Sequence, residues 1–175
     1  MNIKTSVQIT INADVERVFD YSIDCQNLPM LFIGYQSIPA ILSASTTDGL
    51  PLHEGSMRIV NNSDGSAIAE IITTLQRPTV QAYKLIRGFK PPFAWLVHSA
   101  SGKWLYNATH SGTHITWTFE FKMQHLLAYL FFLAVVKRPF QTAQRICLEN
   151  LKRAVEERDR CELSVSPDFS ELKSV

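Results

Sequence analysis

Residues 113–123 read Thr-His-Ile-Thr-Trp-Thr-Phe-Glu-Phe-Lys-Met, and residues 140–155 read Phe-Gln-Thr-Ala-Gln-Arg-Ile-Cys-Leu-Glu-Asn-Leu-Lys-Arg-Ala-Val. In the first stretch Ile115, Trp117, Phe119 and Phe121 alternate with His114, Thr116, Thr118 and Glu120. A period of two marks a strand with one buried face. In the second, Phe140, Ala143, Cys147, Leu151 and Ala154 recur at three- and four-residue spacing, one apolar face of a helix. A strand that closes a sheet, followed by one long amphipathic helix, decides the fold. That helix is the one long element available to cover the sheet's apolar face.

Upstream, Ile3, Thr5, Val7, Ile9 and Ile11 alternate with polar residues, which predicts a first strand. Asn12-Ala-Asp14 offers a helix start with Glu16 in the first turn and Val15, Val18 and Phe19 on one side. Asp24 is placed to cap a second short helix reaching Phe32. Strands are then expected over 37–45, 54–61, 67–76, 80–87, 95–109 and 113–123, with a bend or bulge near Ser101-Gly102. Asn62-Ser-Asp64-Gly65 reads as a hairpin turn, because Asp and Gly tolerate positive φ. The expectation is an α+β domain: a curved seven-stranded antiparallel sheet around a C-terminal helix over 140–158, with two short helices after strand 1. A strongly twisted sheet need not touch the helix everywhere, and the gap is the natural place for a cavity of the several-hundred-Å³ class. Residues 1–158 form the domain, and 159–175 read as a polar tail.

Composition narrows the class. A 175-residue chain that is 46% hydrophobic and 19% charged suits one globular domain. A net charge of +1 with scattered basic residues excludes a nucleic-acid stripe. Cys25, Cys147 and Cys161 lie far apart, an odd sparse set that suggests reduced thiols in a cytoplasm. No signal segment is read at the N-terminus. Leu126–Val136 is apolar but only eleven residues long, against about 20 for a spanning helix. A short, partly buried helix ended by Lys137-Arg-Pro139 is the expectation, with contact to a membrane surface as the alternative.

The order of elements, and the residues on them, resemble the START-like or Bet v 1-like (SRPBCC) helix-grip superfamily. Its polyketide cyclase/dehydrase and lipid-transport group is the nearest in flavour. The matching residues are Ile9-x-Ile11-x-Ala13 with Val18-Phe19; Asp24 with Asn27-Leu28-Pro29; Gly55-x-x-Arg58; and Asp64-Gly65 followed by Glu70 and Tyr83. Then come Gly112-Thr113-x-Ile115-x-Trp117 and Leu148-x-Asn150-Leu151-Lys152 with Glu156. Together they cover residues 3–157. The resemblance implies an elongated hydrophobic pocket, and a family of cyclases, carriers and receptors in which fold alone does not choose the function. The segment Phe93-Ala-Trp95 with His98 to Lys103 departs from the pattern.

Face assignment nominates the site. Trp117 and Phe119, Trp104 and Tyr106, and Tyr83 and Leu85 share the inward side of their strands. His98 joins them if its strand is unbroken. Such aromatics also fill ordinary cores. Arg58 and Glu70 flank the Asp64-Gly65 hairpin. On residue type alone they form an exposed cross-strand pair worth about 0–1 kcal/mol. The resemblance implies that Glu70 lines the pocket, so an interior pair is expected. Five histidines make no metal set, although His110 and His114 flank one turn. No nucleophile motif, phosphate loop or dinucleotide fingerprint occurs, and no cofactor is expected. A binding protein for a small hydrophobic molecule (lipid, isoprenoid, quinone or polyketide-like), as carrier or sensor, is favoured. The alternative is a cyclase/dehydratase using Glu70, Tyr83, His98 or Tyr106 as acid or base, with Arg58 on a carbonyl.

Overall fold

The computed structural model describes the backbone of residues 1–165 and the side chains of residues 1–158. Seven strands make one antiparallel sheet: β1 (Asn2–Ile11), β2 (Ile41–Thr46), β3 (Met57–Asn62), β4 (Ala67–Gln76), β5 (Val80–Arg87), β6 (Val97–Thr109) and β7 (Gly112–Met123). Their spatial order is β1-β7-β6-β5-β4-β3-β2. Every neighbour is a hairpin partner except β1, which pairs with β7 at the far edge. Helices α1 (Val15–Ile23) and α2 (Leu28–Leu31) follow β1, and α3 (Phe93–Leu96) precedes β6. At the C-terminal end α4 (Leu126–Phe131), a π turn (Phe132–Val136) and α5 (Lys137–Val165) run on without a break. The helix-grip expectation holds.

Alternation fixes which side is covered. On β7 every second residue from Thr113 to Met123 is buried. The register aligns these residues into rows across the sheet. One row runs Arg58, Glu70, Leu85, Ala100, Phe121 and Ile3. The next runs Tyr83, Gly102, Phe119 and Thr5, and a third Gln81, Trp104, Trp117 and Val7. Helix α5 lays Phe140, Ala143, Cys147, Leu148, Leu151 and Val155 over them, all buried. The apolar face therefore ends on Val155, whereas Ala154 is only partly covered.

Several boundaries depart from the sequence reading. Asp14 does cap α1, its carboxylate accepting from the Glu16 N–H at 2.8 Å. Asp24, however, closes α1 at its C-terminal end, and α2 starts after Asn27. The strand expected from Ser37 starts at Ile41, because the chain first turns on itself through a bridge between Tyr35 and Ile38. Lys137-Arg-Pro139 does not end the apolar helix. Proline lacks the N–H that an α turn needs, and the chain continues through the π turn, whose Lys137 N–H reaches the Phe132 carbonyl. Helix α5 then runs to Val165, past Arg158; residues 166–175 of the expected tail lie outside the described residues.

Candidate functional site

Between the sheet and α5 lies a cavity of about 170 Å³. Its walls come from β3–β7, from Phe140 and Cys147 of α5, and from Ser22, Leu28, Phe32, Ile38, Pro39 and Ile41 of the α1–β2 segment. Phe89, Lys90 and Phe93, between β5 and β6, complete it. Asp64 and Lys90 are the exposed members of the lining and mark the mouth. The cavity is smaller than the several-hundred-Å³ class because aromatic rings occupy its deep end. Trp104 and Trp117 stack at 4.5 Å, and Phe119, Phe121 and Phe140 lie 4.7–4.9 Å apart, centroid to centroid.

Seven of the nine nominated residues meet in this lining: Arg58, Glu70, Tyr83, Leu85, Trp104, Trp117 and Phe119. His98 does not. It shares parity with Ala100, Gly102 and Trp104, but a register shift between Val97 and Ser99 puts Val97 inside and leaves His98 exposed. The bulge thus sits at the start of β6 rather than near Ser101-Gly102. Tyr106 is buried but lies beyond the cavity. Its hydroxyl is 2.7 Å from the Ser22 hydroxyl and donates to Gln81 at 3.4 Å, and its ring packs edge-on against Phe19. His110 is exposed at its turn, and His114 pairs with the Thr10 hydroxyl at 3.2 Å.

Arg58 and Glu70 are inside. The guanidinium donates to one Glu70 oxygen, Oε2, from Nη2 at 2.6 Å and from Nε at 3.0 Å. The ring of Tyr83 lies under the Arg58 charge at 5.5 Å. Burial works against the charged guanidinium, but the Glu70 charge and hydrogen bonds outweigh it and push the Arg58 pKa up. Burial also pushes up the Tyr83 phenol and the Cys147 thiol. Cys25, beside the same guanidinium, has its thiol raised by burial, with the Arg58 charge acting in the opposite direction.

Two donors in the lining are left over. Arg58 Nη1 and Trp117 Nε1 are both buried and have no hydrogen-bond partner among the described residues. A buried N–H without an acceptor costs about 1–3 kcal/mol. A ligand oxygen that reaches either of them would recover that for the donor it meets. Thr5 Oγ1 and the Gln144 amide are also unpartnered, but neither residue lines the cavity.

Sequence reasoning missed lining residues that lie outside the sheet, in short helices and loops: Ser22, Phe32, Ile38, Phe89 and Phe93. None of them belongs to a long periodic run. The two phenylalanines between β5 and β6 flank Pro91-Pro92, and that composition was the available signal.

Residues 2–156 match the family model described as polyketide cyclase / dehydrase and lipid transport. Among solved structures, a protein from Nitrosospira multiformis aligns at 17% identity over 90% of this chain and 99% of its own, with a TM-score of 0.66. Ara h 8.0201 aligns at 18% identity over 90% and 99%, with a TM-score of 0.65. The di-domain ARO/CYC StfQ from the steffimycin biosynthetic pathway aligns at 15% identity over 91% of this chain and 53% of that one, with a TM-score of 0.67. At these identities the structures establish a shared fold.

Proposed function

This chain belongs to the polyketide cyclase / dehydrase and lipid transport family, and we propose that it binds a small apolar molecule carrying a carbonyl or hydroxyl oxygen, as a carrier or sensor. The observation that carries the reading is the pair of unpartnered donors, Arg58 Nη1 and Trp117 Nε1, in an otherwise aromatic cavity. Size narrows the class. An apolar cavity of roughly 150 Å³ takes a molecule the size of benzene, so 170 Å³ suits one ring or a short acyl segment. Anything longer has to pass the mouth, where the Lys90 ammonium reaches the Asp64 carbonyl at 3.4 Å. Charge narrows it again. Glu70 already neutralises Arg58, so a second carboxylate beside it is disfavoured and a neutral oxygen acceptor is preferred.

A cyclase-type reaction is the second reading, since a free guanidinium N–H is also what polarises a carbonyl. It needs a base. Glu70 is engaged by Arg58, and burial holds the Tyr83 and Cys147 protons firmly. Those facts favour binding over acid–base chemistry. Turnover of poly-β-ketone substrates that is lost in Glu70→Gln would reverse the preference.

The test compares acetophenone with ethylbenzene, close in shape but differing in the oxygen, by calorimetric titration. Acetophenone should bind about tenfold or more tightly, the worth of a hydrogen bond from a charged donor. Trp117→Phe should shrink the gap. Equal affinity for both compounds, or binding of neither, would overturn the assignment. Mass spectrometry of protein extracted natively would then identify the resident molecule.

A further inference from the structure

We infer that the face formed by α4, the π turn and α3 docks on an anionic phospholipid bilayer, with the cavity mouth beside it. This goes beyond the cavity ligand and does not depend on it. From Leu126 to Val136 the helix buries one stripe four residues apart: Ala128, Phe132 and Val136. Apart from Tyr129, which is half-buried against the core, the remaining large side chains are apolar and exposed: Leu127 at 74%, with Leu126, Leu130, Phe131, Leu133 and Val135. A surface helix ordinarily turns charged residues outward. This one has none between His125 and Lys137. Trp95, 66% exposed, extends the face from α3. Helix α3 is tied to this segment by Phe93 against Phe132 at 6.2 Å and by the Gln124 amide on the Ala94 carbonyl at 3.0 Å. A contiguous exposed apolar face of this kind marks an interaction surface.

Charge selects the partner. Lys122 precedes the apolar segment, Lys137 and Arg138 follow it, and Lys90 precedes α3. The single carboxylate between Lys90 and Glu149, Glu120, is paired with Lys4 at 3.4 Å. An apolar centre with a basic rim matches acyl chains beneath anionic headgroups. A second copy of the chain fits poorly, because two-fold pairing would set one basic rim against the other. The helix lies on the bilayer and does not cross it. Its eleven apolar residues span about 16 Å at the α-helical rise, against roughly 30 Å of hydrocarbon. Beyond them Cys147, Leu148 and Leu151 are locked into the core. Phe89, Lys90 and Phe93 line the cavity on the loop that carries Trp95, so docking would bring the mouth to the lipid.

Flotation with phosphatidylcholine vesicles, with and without phosphatidylglycerol, tests this. The intact chain should float with the anionic vesicles, and brominated lipid should quench emission that disappears in Trp95→Phe. Leu127→Ser with Leu130→Ser should lower partitioning at least about tenfold. Lys137→Gln and Arg138→Gln should each lower it about fivefold. Trp117→Phe, a cavity variant, should float as the parent does, which separates this surface from the ligand site. No flotation, or equal flotation with neutral vesicles, overturns the proposal. So does a dimer in sedimentation that Leu127→Ser dissociates while vesicles are ignored.

Discussion

Arg58 and Glu70 face each other directly across β3 and β4, and the guanidinium closes on a single carboxylate oxygen at 2.6 Å inside the cavity wall. Both are buried, at 3% and 8% exposure. A buried pair contributes little net stability, but breaking it leaves a charge without compensation. Glu70→Ala should therefore lower unfolding stability by about 3–5 kcal/mol, while Arg58→Leu combined with Glu70→Leu should recover most of that loss. Urea denaturation of both variants checks it. A double variant as unstable as the single one would show that the pair itself supports the fold.

Replacing Glu70 by glutamine keeps the shape and removes the charge. Arg58 then lacks its neutralising partner, and among the described residues no other carboxylate is hydrogen-bonded to it. Ligand preference should move from neutral ketones toward carboxylates. Benzoate against acetophenone in competitive titration reads this directly, with the affinity ratio shifting by about tenfold or more.

Gly102 is the place on β6 where the sheet has no side chain, and the ring of Tyr83 fills that place from the neighbouring strand. A Cβ at Gly102 would collide with the Tyr83 ring at Cζ and with its hydroxyl. Gly102→Ala must push the phenol aside, disturbing its contact with Phe119 and its position under Arg58. An overpacking cost of about 1–3 kcal/mol follows, with altered acetophenone affinity. Gly102→Ala in a Tyr83→Leu background should cost less. If it costs the same, the ring is not what the methyl meets.

The sheet was legible because burial on one face writes itself as alternation. Ile115 to Phe121, Trp104 and Tyr83 all point where their parity requires. The α5 stripe was legible for the same reason at the helical period. Parity fails where one residue is inserted, so the bulge after Val97 turned His98 outward with no trace in composition. The break expected at Lys137-Arg-Pro139 is absent because a π turn carries the helix across it, and nothing in residue type announces such a turn. Tyr106 was placed on the correct face, but its distance from the cavity depends on Ser22 of α1, which packs there from 84 positions away. Inward direction can be read along a strand. Whether that direction meets a void or another side chain is decided by segments without a period, such as Phe32, Ile38 and Phe93.

Three buried protons should make this fold less stable as pH rises into the alkaline range. Burial raises the pKa of Tyr83, Tyr106 and Cys147 far above their ordinary values of 10.0, 10.0 and 9.0. The unfolded chain loses these protons at the ordinary values, while the folded chain keeps them. Above those values the unfolded state binds fewer protons, so stability must fall as pH rises. Their contribution is complete below pH 9.0, begins to fade as the unfolded cysteine ionises, and fades faster beyond pH 10.0. Each group adds about 1.4 kcal/mol per pH unit to that slope. Tyr106→Phe should lower stability at neutral pH, because the buried hydrogen bond between the Tyr106 and Ser22 hydroxyls at 2.7 Å is lost, leaving Ser22 only the Phe19 carbonyl. It should also make the alkaline limb shallower by one group's share. Urea midpoints collected from neutral pH to beyond pH 10.0 separate the two effects: the hydrogen bond displaces the whole curve, and the lost phenol changes its slope. A slope unchanged by Tyr106→Phe would mean that the phenol ionises as readily in the fold as outside it.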